Sequence, residues 1–492
     1  MPVTATDCLT PVVSGVLEAC DYFVHPPRER HVRELPVSPR GDDVHRPVAA
    51  NVETPPLALG GDVEPRATAG QRLDVFDCHF GPVADGHCAD HTRPEGRRAN
   101  NAVGRYQNAL ALRGRNLDHR GTPVTDKREY TGDYQDKTLY LPGPTEVRED
   151  VIDAMAEPMF GHRMDRMTDL YTTIVEDTRE FLDTDDDVIV LTASGTEFWE
   201  ATTLNLVEDR LLVPTSGSFS ERQANVAERL GKDVDRLTYE WGQAVKPEDV
   251  RSRLEETDGD YDVVAMVMNE TSTGVRNPVE EVGDVVAEYP DTLFVVDAIS
   301  CLGGDYVDID AHGIDAIFTS TQKAFAMPPG LAVCTVSEDA YDREVESESA
   351  SWYGGFQRCL DYYDRKGQTH STPAIPLMLA YRKQMKHMLE ESHEQRDQRH
   401  REMAEYTREW AREHFGLFAE EGYRSQTVTC VENTQGIDVA ETIEAVSEEY
   451  DMVFSNGYGD IAEDTFRIGH MGEHTVESVK ELTDAIEDAA GL

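Results

Sequence analysis

The chain has 492 residues, of which 46 are Lys or Arg and 95 are Asp or Glu, giving a formal net charge of −49. This length predicts two or three domains, and the strong negative charge argues against a nucleic-acid-binding or anionic-membrane-binding function. No apolar run reaches the roughly 18 residues of a membrane span, and no signal-peptide pattern is visible. The eight Cys lack CxxC pairs, which predicts reduced thiols in a cytoplasmic protein rather than disulfides or a metal site.

Residues 1–123 differ in composition from the remainder. They hold 14 Arg, no Lys, 16 acidic residues and 13 of the 24 Pro, without sustained helical or strand periodicity. Two interpretations stay open: a disordered N-terminal extension, or a spurious one. The second interpretation rests on the composition of the segment. GC-rich DNA that is under no constraint at the protein level encodes Arg without Lys, together with abundant Pro, Gly, Ala and His. Translation would then begin at Val124.

Residues 124–492 carry the negative charge, with 32 basic against 79 acidic residues spread along the whole segment. Surplus Asp and Glu keep a protein surface hydrated, and charges at this density repel one another unless salt screens them. We interpret the composition as adaptation to a salt-rich cytoplasm, as in haloarchaeal proteins. An acidic tail would confine the charge to one end and does not explain this distribution.

Seven short runs rich in Val, Ile and Leu predict β-strands, and helical patterns lie between most of them. In chain order the runs fall within residues 187–194, 210–216, 234–241, 261–270, 292–300, 316–323 and 331–337. Because they lack strict alternation, both faces of the sheet are expected to be covered, which predicts an α/β fold with a mostly parallel seven-stranded sheet. The seventh run follows the sixth too closely for a helical crossover, so we expect it to be antiparallel.

A long helical pattern, straight or bent, begins at about Ile375 and has no Pro after Pro376. Beyond it, the runs VTCVE, DMVFSNG and TFRIGHMG predict short strands, and the chain ends in a further helical pattern. We therefore predict a large domain with an N-terminal arm over residues 124–375 and a small α+β C-terminal domain over residues 376–492.

Polar residues at the ends of three predicted strands are candidates for a ligand site, because open α/β sheets bind ligands beyond the carboxyl ends of their strands. The turn 194–196 (Ser-Gly-Thr) suits a phosphate at a helix N-terminus, but it is also an ordinary helix cap. Asp297 ends an apolar strand, where an acid is costly unless it is paired. Lys323 follows the next strand and has no acidic neighbours in the sequence. Two interpretations stay open for it: a nucleophilic amine of lowered pKa, or a surface lysine.

Eight motifs in order are similar to those of one enzyme family: LYLPGPTEV, FGHR, TASGTEF, NETSTGV, VVDAISCLGG, TSTQKAFAMPPG, HSTPAIP and FRIGHMG. Together they resemble the class V aminotransferases of the alanine–glyoxylate and serine–pyruvate type, over about Leu139 to Leu492. The resemblance implies the fold type I of pyridoxal-phosphate (PLP)-dependent transferases, with a large PLP-binding domain and pyridoxal 5′-phosphate as cofactor. No metal is implied.

The resemblance also implies roles for residues around the cofactor. Lys323 matches the lysine that forms the Schiff base, and Asp297 matches the acid that pairs with the pyridine nitrogen. The residues that match family contacts to the phosphate or the ring are Ser194, Gly195, Thr196, Phe219, Thr271 and Gln322. Among these, Phe219 falls where the family stacks an aromatic ring on the cofactor.

Three further positions concern the substrate and a second subunit. Arg467 matches the arginine that binds the substrate carboxylate, and Gly143 lies where the family lines the substrate pocket. Thr372 matches a threonine that reaches the phosphate of the neighbouring subunit, so the resemblance implies a homodimer. Some relatives carry Tyr where this chain has Thr369, which puts that contact in doubt. The sequence does not decide whether His162 and Arg163 face the substrate or a dimer interface.

The resulting expectation is an amino-acid aminotransferase that moves the amino group of alanine or serine to glyoxylate or pyruvate through a Lys323 Schiff base. Aspartate, phosphoserine and aminophosphonate aminotransferases of the same class stay open as alternatives. A cysteine desulfurase fits less well, since such enzymes carry His where this chain has Gln322, and Cys430 lies in an apolar strand where an inert thiol is expected. A PLP-fold protein that only binds ligands is a further alternative.

Overall fold

A computed structural model describes residues 137–347 and 349–492 of the chain. The two interpretations of residues 1–123 therefore concern residues outside the described part. The strands are β1 (Thr138–Tyr140), β2 (Asp187–Leu191), β3 (Arg210–Thr215), β4 (Asp233–Thr238), β5 (Val263–Val267), β6 (Asn269–Glu270), β7 (Val275–Arg276), β8 (Leu293–Asp297), β9 (Ala316–Ser320), β10 (Ala332–Val336), β11 (Gly416–Leu417), β12 (Val428–Glu432), β13 (Met452–Asn456) and β14 (Thr465–Gly469).

Helices connect most of these strands. They are α1 (Glu149–Ala154), α2 (Asp165–Leu182), α3 (Thr196–Leu206), α4 (Ser218–Arg229), α5 (Pro247–Glu256), α6 (Val279–Val286), α7 (Glu338–Glu346), α8 (Phe356–Lys366), α9 (Ile375–Glu391), α10 (His393–His414), α11 (Val439–Glu449) and α12 (Val476–Ala490). None of the helices in the described part of the chain is both long enough and apolar enough to cross a membrane.

The central sheet has seven strands in the order β2-β10-β9-β8-β5-β3-β4. All seven predicted strands are present, and the α/β fold with a mostly parallel sheet is confirmed. Strand β10 runs antiparallel to both β9 and β2, as its short connection predicts. The other neighbours in this sheet are parallel. Their carboxyl ends therefore meet at one edge of the sheet, where a ligand site is expected.

Apolar side chains cover both faces of this sheet. Along β8, Val296 belongs to one buried cluster and Val295 to another, because successive residues of a strand point to opposite faces. The first cluster includes apolar residues of α2 and α9, and the second includes residues of α3 and α8. This two-sided burial explains why the strands read as continuous apolar runs rather than as alternating patterns.

A second sheet has five strands in the order β1-β13-β14-β12-β11. It packs α10, α11 and α12 around a separate apolar cluster that includes Trp410 and Phe466. Strand β1 pairs in parallel with β13, so the segment before the large sheet joins the smaller one. The domain boundary at residue 375 stays a prediction. Strand β1 precedes that boundary in the chain but belongs to the second sheet.

The long helical pattern after residue 375 forms two helices that meet at Ser392. This residue has a φ of 68°, a left-handed conformation that interrupts the helix without a Pro, and its hydroxyl accepts a hydrogen bond from the Gln395 amide. Four residues later, the fully buried Arg396 donates to the carbonyl oxygens of Gly303 and Ala324, both at 2.8 Å. Helix α10 thereby holds the backbone next to Lys323.

Candidate active site

The carboxyl ends of β8 and β9 bring the two chemically distinctive residues to one edge of the sheet. Asp297 is the last residue of β8, and Lys323 lies three residues beyond the end of β9. These two strands are parallel neighbours, with Asp297 opposite Phe318 in the register. The connection of 18 residues between the two strands, residues 298–315, therefore returns the chain to a position beside its starting point.

Asp297 is a buried carboxyl group held by two donors. Its Oδ1 accepts from the Ile299 amide at 2.8 Å, and its Oδ2 accepts from the Trp199 indole at 2.6 Å. Burial raises the pKa of Asp297 to about 7, against the opposing effect of these two hydrogen bonds. A positive charge placed beside this carboxyl group would favour its ionised form and be held strongly by it.

Lys323 is an amine in a dry and electropositive environment. Desolvation and the nearby Arg467 lower the pKa of Lys323 to about 8, although Asp297 acts in the opposite direction. The ammonium group donates to the Pro142 carbonyl oxygen. The Thr145 hydroxyl donates to the Lys323 carbonyl oxygen at 3.1 Å. A larger fraction of this lysine is therefore the neutral nucleophile near neutral pH than of an ordinary lysine.

Gly143 leaves the space that the Lys323 side chain occupies. A Cβ atom at residue 143 would lie 2.7 Å from the Lys323 Nζ, and the φ of Gly143 is +91°. Both the close approach and the backbone conformation therefore require glycine here.

The turn 194–196 has the properties of a phosphate cradle. A Cβ atom on Gly195 would lie 2.5 Å from the Ile299 Cδ1, so a side chain does not fit. The Gly195 amide donates to the Ser320 hydroxyl at 2.6 Å, and no side chain caps the N-terminus of α3. In the described part of the chain, the buried Gln322 Oε1 has no hydrogen-bond partner. An anion at this turn would meet the free backbone N–H groups of a helix N-terminus.

Phe219 lies at the start of α4, where a buried glutamate fixes the backbone. The Phe219 amide donates to both oxygens of Glu270 at 3.2 Å, and the Ser220 amide donates to its Oε2 at 3.0 Å. The Ser272 hydroxyl also donates to Glu270, at 2.6 Å. A fully buried carboxylate with these donors at a helix N-terminus is a stable arrangement, and it sets the position of the Phe219 ring.

Arg467 reaches this region from strand β14. Its Nε donates to the Asn456 carbonyl oxygen at 3.1 Å and its Nη1 to the Thr271 carbonyl oxygen at 3.2 Å. The Thr271 hydroxyl in turn donates to the Ser300 hydroxyl at 2.8 Å. Arg467 forms no salt bridge with an acid of the described residues, in contrast to Arg276 and Arg396. Its charge is thus available to an anionic group from outside.

The Thr372 side chain lies next to the FGHR motif. The Thr372 hydroxyl and the His162 Nε2 are 3.3 Å apart. Arg163 donates to the carbonyl oxygens of Thr369 and His370, at 2.5 and 2.9 Å. The side chains of His162 and Arg163 therefore both contact the segment 369–372 of the same chain.

Cys430 lies on β12 and is buried, as expected. Burial raises the pKa of its thiol to about 12. Such a thiol is not a nucleophile near neutral pH, so the structure gives a desulfurase no support.

Sequence analysis missed two residues that shape the site. Trp199 lies in the helical segment after the phosphate turn and reads as a core residue, and nothing local indicates that its indole reaches Asp297, 98 positions later. Glu270 lies within the NETSTGV motif, but its role at the start of α4 depends on a contact across 50 residues. The one local signal was an acid at the end of the apolar run 261–270.

This constellation defines the class of protein: a fold type I enzyme that uses pyridoxal 5′-phosphate. The family model for class-V aminotransferases matches residues 139–464. The chain belongs to this family and is a transaminase.

Relatives with described names agree with that family. An uncharacterized aminotransferase of Methanocaldococcus jannaschii is 39% identical over 341 residues, which span 68% of this chain and 88% of the relative. The serine–glyoxylate aminotransferase of Methylorubrum extorquens is 31% identical over 68% of this chain and 86% of its own length. The crystal structure of the alanine–glyoxylate aminotransferase of Nostoc sp. has 29% identity and a TM-score of 0.69, and the match covers 74% of this chain and 99% of that structure.

The residues present fit this cofactor. The uncapped N-terminus of α3 suits its phosphate, and the ring of Phe219 offers a stacking surface. The buried Asp297 carboxyl group suits the protonated ring nitrogen, and Lys323 offers the amine for attachment. When bound, the cofactor supplies an electron sink for the substrate's α-carbon.

Gly143→Ala tests whether this glycine makes room for Lys323. We expect a loss of about 1–2 kcal/mol in the free energy of unfolding from the left-handed backbone, together with an at least tenfold slower attachment of the cofactor to the apoprotein. Stopped-flow absorbance and denaturant titration in concentrated salt measure the two effects. Gly231→Ala is the matched control, because Gly231 has a φ of +88° and no atom within 4 Å of an added Cβ. Equal attachment rates in both variants would contradict the prediction.

Trp199→Phe tests whether the indole supports Asp297. Removing a charge-assisted hydrogen bond worth about 1.5–3 kcal/mol should raise the Kd for pyridoxal phosphate about tenfold or more, since Asp297 is then ionised less readily. Equilibrium titration of the apoprotein provides the Kd. Trp410→Phe is the control. The Trp410 indole also donates to a carboxylate, that of Glu487, but this pair lies among the helices that pack on the second sheet. An unchanged Kd in Trp199→Phe would show that the contact does not matter.

Proposed function

We propose that this aminotransferase moves the amino group of alanine or serine to glyoxylate or pyruvate. The observation that carries the proposal is that Lys323 and Asp297 lie at adjacent strand ends beside Arg467, whose guanidinium has no acidic partner among the described residues. One amine, one buried acid and one carboxylate-binding cation are the groups that such a reaction needs. The names of relatives that use serine or alanine with glyoxylate support the choice of substrates.

Lys323 is the proposed proton carrier. An amine of lowered pKa is partly neutral near neutral pH, so it can take the proton from the substrate's α-carbon as a general base and return it as a general acid. Asp297 would hold a proton on the ring nitrogen of the cofactor, because an ion pair in a buried site is strong. Neither residue needs to move far, since both are fixed by the ends of neighbouring strands.

Arg467 is the proposed anchor for the substrate carboxylate. A guanidinium group forms two parallel hydrogen bonds with a carboxylate, which fixes both position and orientation. Burial lowers the pKa of Arg467, and a bound carboxylate would compensate for that loss of solvation. Donor and acceptor both carry this carboxylate, so the same residue serves both halves of the reaction.

A half-reaction titration tests the substrate assignment. Protein loaded with pyridoxal phosphate would be mixed separately with alanine, serine, aspartate, phosphoserine, aminoethylphosphonate and cysteine in concentrated salt. We expect alanine or serine to convert the cofactor to its amino form, followed by absorbance, and Lys323→Ala to abolish the conversion. A response only to aspartate, phosphoserine or aminoethylphosphonate would keep the chemistry and overturn the donor. Sulfide release from cysteine would indicate a desulfurase.

We also propose that the protein is a homodimer. A surface with exposed apolar residues combines the segment 159–166 with residues 352–370: Met159 is 66% exposed, Met164 56% and Trp352 68%. The two parts are joined by Arg163, which also lies over the Tyr362 ring. Apolar and aromatic residues with arginines are the composition of a protein interface. Thr372 lies on this surface, so pairing would allow it to reach the partner's cofactor phosphate.

Trp352→Glu tests the dimer. Placing a charge on this exposed apolar surface should produce a monomer, with a loss of cofactor retention if Thr372 completes the partner's site. Light scattering in concentrated salt measures the mass, and Leu492→Glu is the control because Leu492 is an exposed apolar residue outside the two segments of this surface. A wild-type monomer that retains its cofactor would refute the proposal.

The setting that we propose is a salt-rich cytoplasm. The four cysteines that the structure describes are all free and buried, which suits a reducing compartment. The net charge of −49 requires screening, since like charges at this density destabilise a compact chain.

A further inference from the structure

Tyr458 lies in the connection between β13 and β14, just before a short 3₁₀ helix over Gly459–Ile461. The Gly457 amide donates to the Thr465 carbonyl oxygen at 2.9 Å, and a Cβ on Gly457 would lie 2.5 Å from the Ile461 carbonyl oxygen. Gly459, on the other side, has a φ of +55°. Two glycines with these constraints fix the path of this connection, so the Tyr458 side chain projects from a defined backbone position.

The Tyr458 ring bridges two residues with proposed roles at the site. Its centroid is 5.6 Å from that of the Phe219 ring, with 42° between the two planes. The Arg467 guanidinium carbon lies 5.0 Å from the same Tyr458 centroid. A cation this close to a ring face is attracted to it, so the tyrosine both contacts Phe219 and faces the carboxylate anchor.

Arg222 holds the outer end of this tyrosine. It donates from its Nη2 to the Tyr458 hydroxyl, and its guanidinium carbon lies 5.5 Å from the Tyr458 centroid and 5.3 Å from the Phe219 centroid. Arg222 follows Phe219 by three positions on α4, which places both on one face of the helix. Arg222 forms no salt bridge with an acidic residue in the described part of the chain. Its main contacts are therefore the two rings and the Tyr458 hydroxyl.

We propose that Tyr458 limits the size of the donor's side chain. The inference rests on the proposed function, in which Phe219 stacks on the cofactor and Arg467 binds the substrate carboxylate. A substrate bound to the cofactor and to Arg467 would lie between Phe219 and Arg467. The Tyr458 ring contacts both of these residues, so the substrate's side chain would face that ring. The ring would then accommodate the methyl group of alanine or the hydroxymethyl group of serine and exclude longer chains. Arg222 keeps the ring in place by holding its hydroxyl.

The kinetic test compares donors of increasing length. Half-reaction rates with alanine, 2-aminobutyrate and norvaline would be measured for wild type, Tyr458→Ala and Tyr458→Phe, with Asp460→Ala in the same connection as the control. We expect Tyr458→Ala to raise kcat/KM for norvaline relative to alanine at least tenfold, since one methylene in a pocket changes selectivity about 10–200-fold. Tyr458→Phe should show a smaller change, because it loses only the contact with Arg222. A norvaline-to-alanine ratio unchanged in Tyr458→Ala would overturn the inference.

A binding test separates this inference from the proposed function. Acetate, butyrate and hexanoate would be titrated into cofactor-loaded protein, with the cofactor absorbance as readout. Wild type should prefer the short carboxylates, and Tyr458→Ala should lose that preference. If wild type transaminates neither alanine nor serine, the proposed donor is wrong, yet a size preference that depends on Tyr458 would still support the inference. Equal binding profiles in wild type and Tyr458→Ala would reject it whatever the donor is.

Discussion

The structure depends on keeping a carboxyl group and an amine in a dry site at the ends of two neighbouring parallel strands. Burial brings their pKa values close together, with Asp297 raised to about 7 and Lys323 lowered to about 8. In water these groups would both be charged and differ by several pKa units. In the site, the amine is partly neutral near neutral pH, and the carboxyl group can pair with a positive charge. A cofactor with an electrophilic carbon and a protonated ring nitrogen therefore suits the two groups.

The surrounding architecture compensates for the cost of that burial. Trp199 and the Ile299 amide satisfy the oxygens of Asp297, and Gly143 leaves space for the lysine side chain. Farther out, Arg396 binds the Ala324 carbonyl oxygen and thereby joins α10 to the backbone beside Lys323. The same arginine pairs with Glu473, so a buried ion pair from the second sheet's side of the molecule helps to fix the catalytic lysine.

The sequence predicts the strands and the parallel sheet because apolar runs and their connections are local features. The antiparallel β10 was predictable for the same reason, from the length of its connection. The order of the strands in the sheet could not be predicted, because it depends on which strands that are distant in sequence become neighbours. Asp297, Lys323 and Arg467 stood out through motif resemblance, whereas Trp199, Glu270 and Tyr458 act through contacts with distant residues. A tryptophan in a helix or a tyrosine between two glycines carries no local sign of its partner.

The central claim is that Lys323 is the point of cofactor attachment, and chemical trapping tests it most directly. Protein loaded with pyridoxal phosphate would be reduced with borohydride, digested, and its peptides weighed by mass spectrometry. The account predicts that the added phosphopyridoxyl mass is found on the peptide that contains Lys323 and is absent after prior denaturation. Labelling of a different lysine, such as Lys232 or Lys383, or no stable label at all, would contradict it.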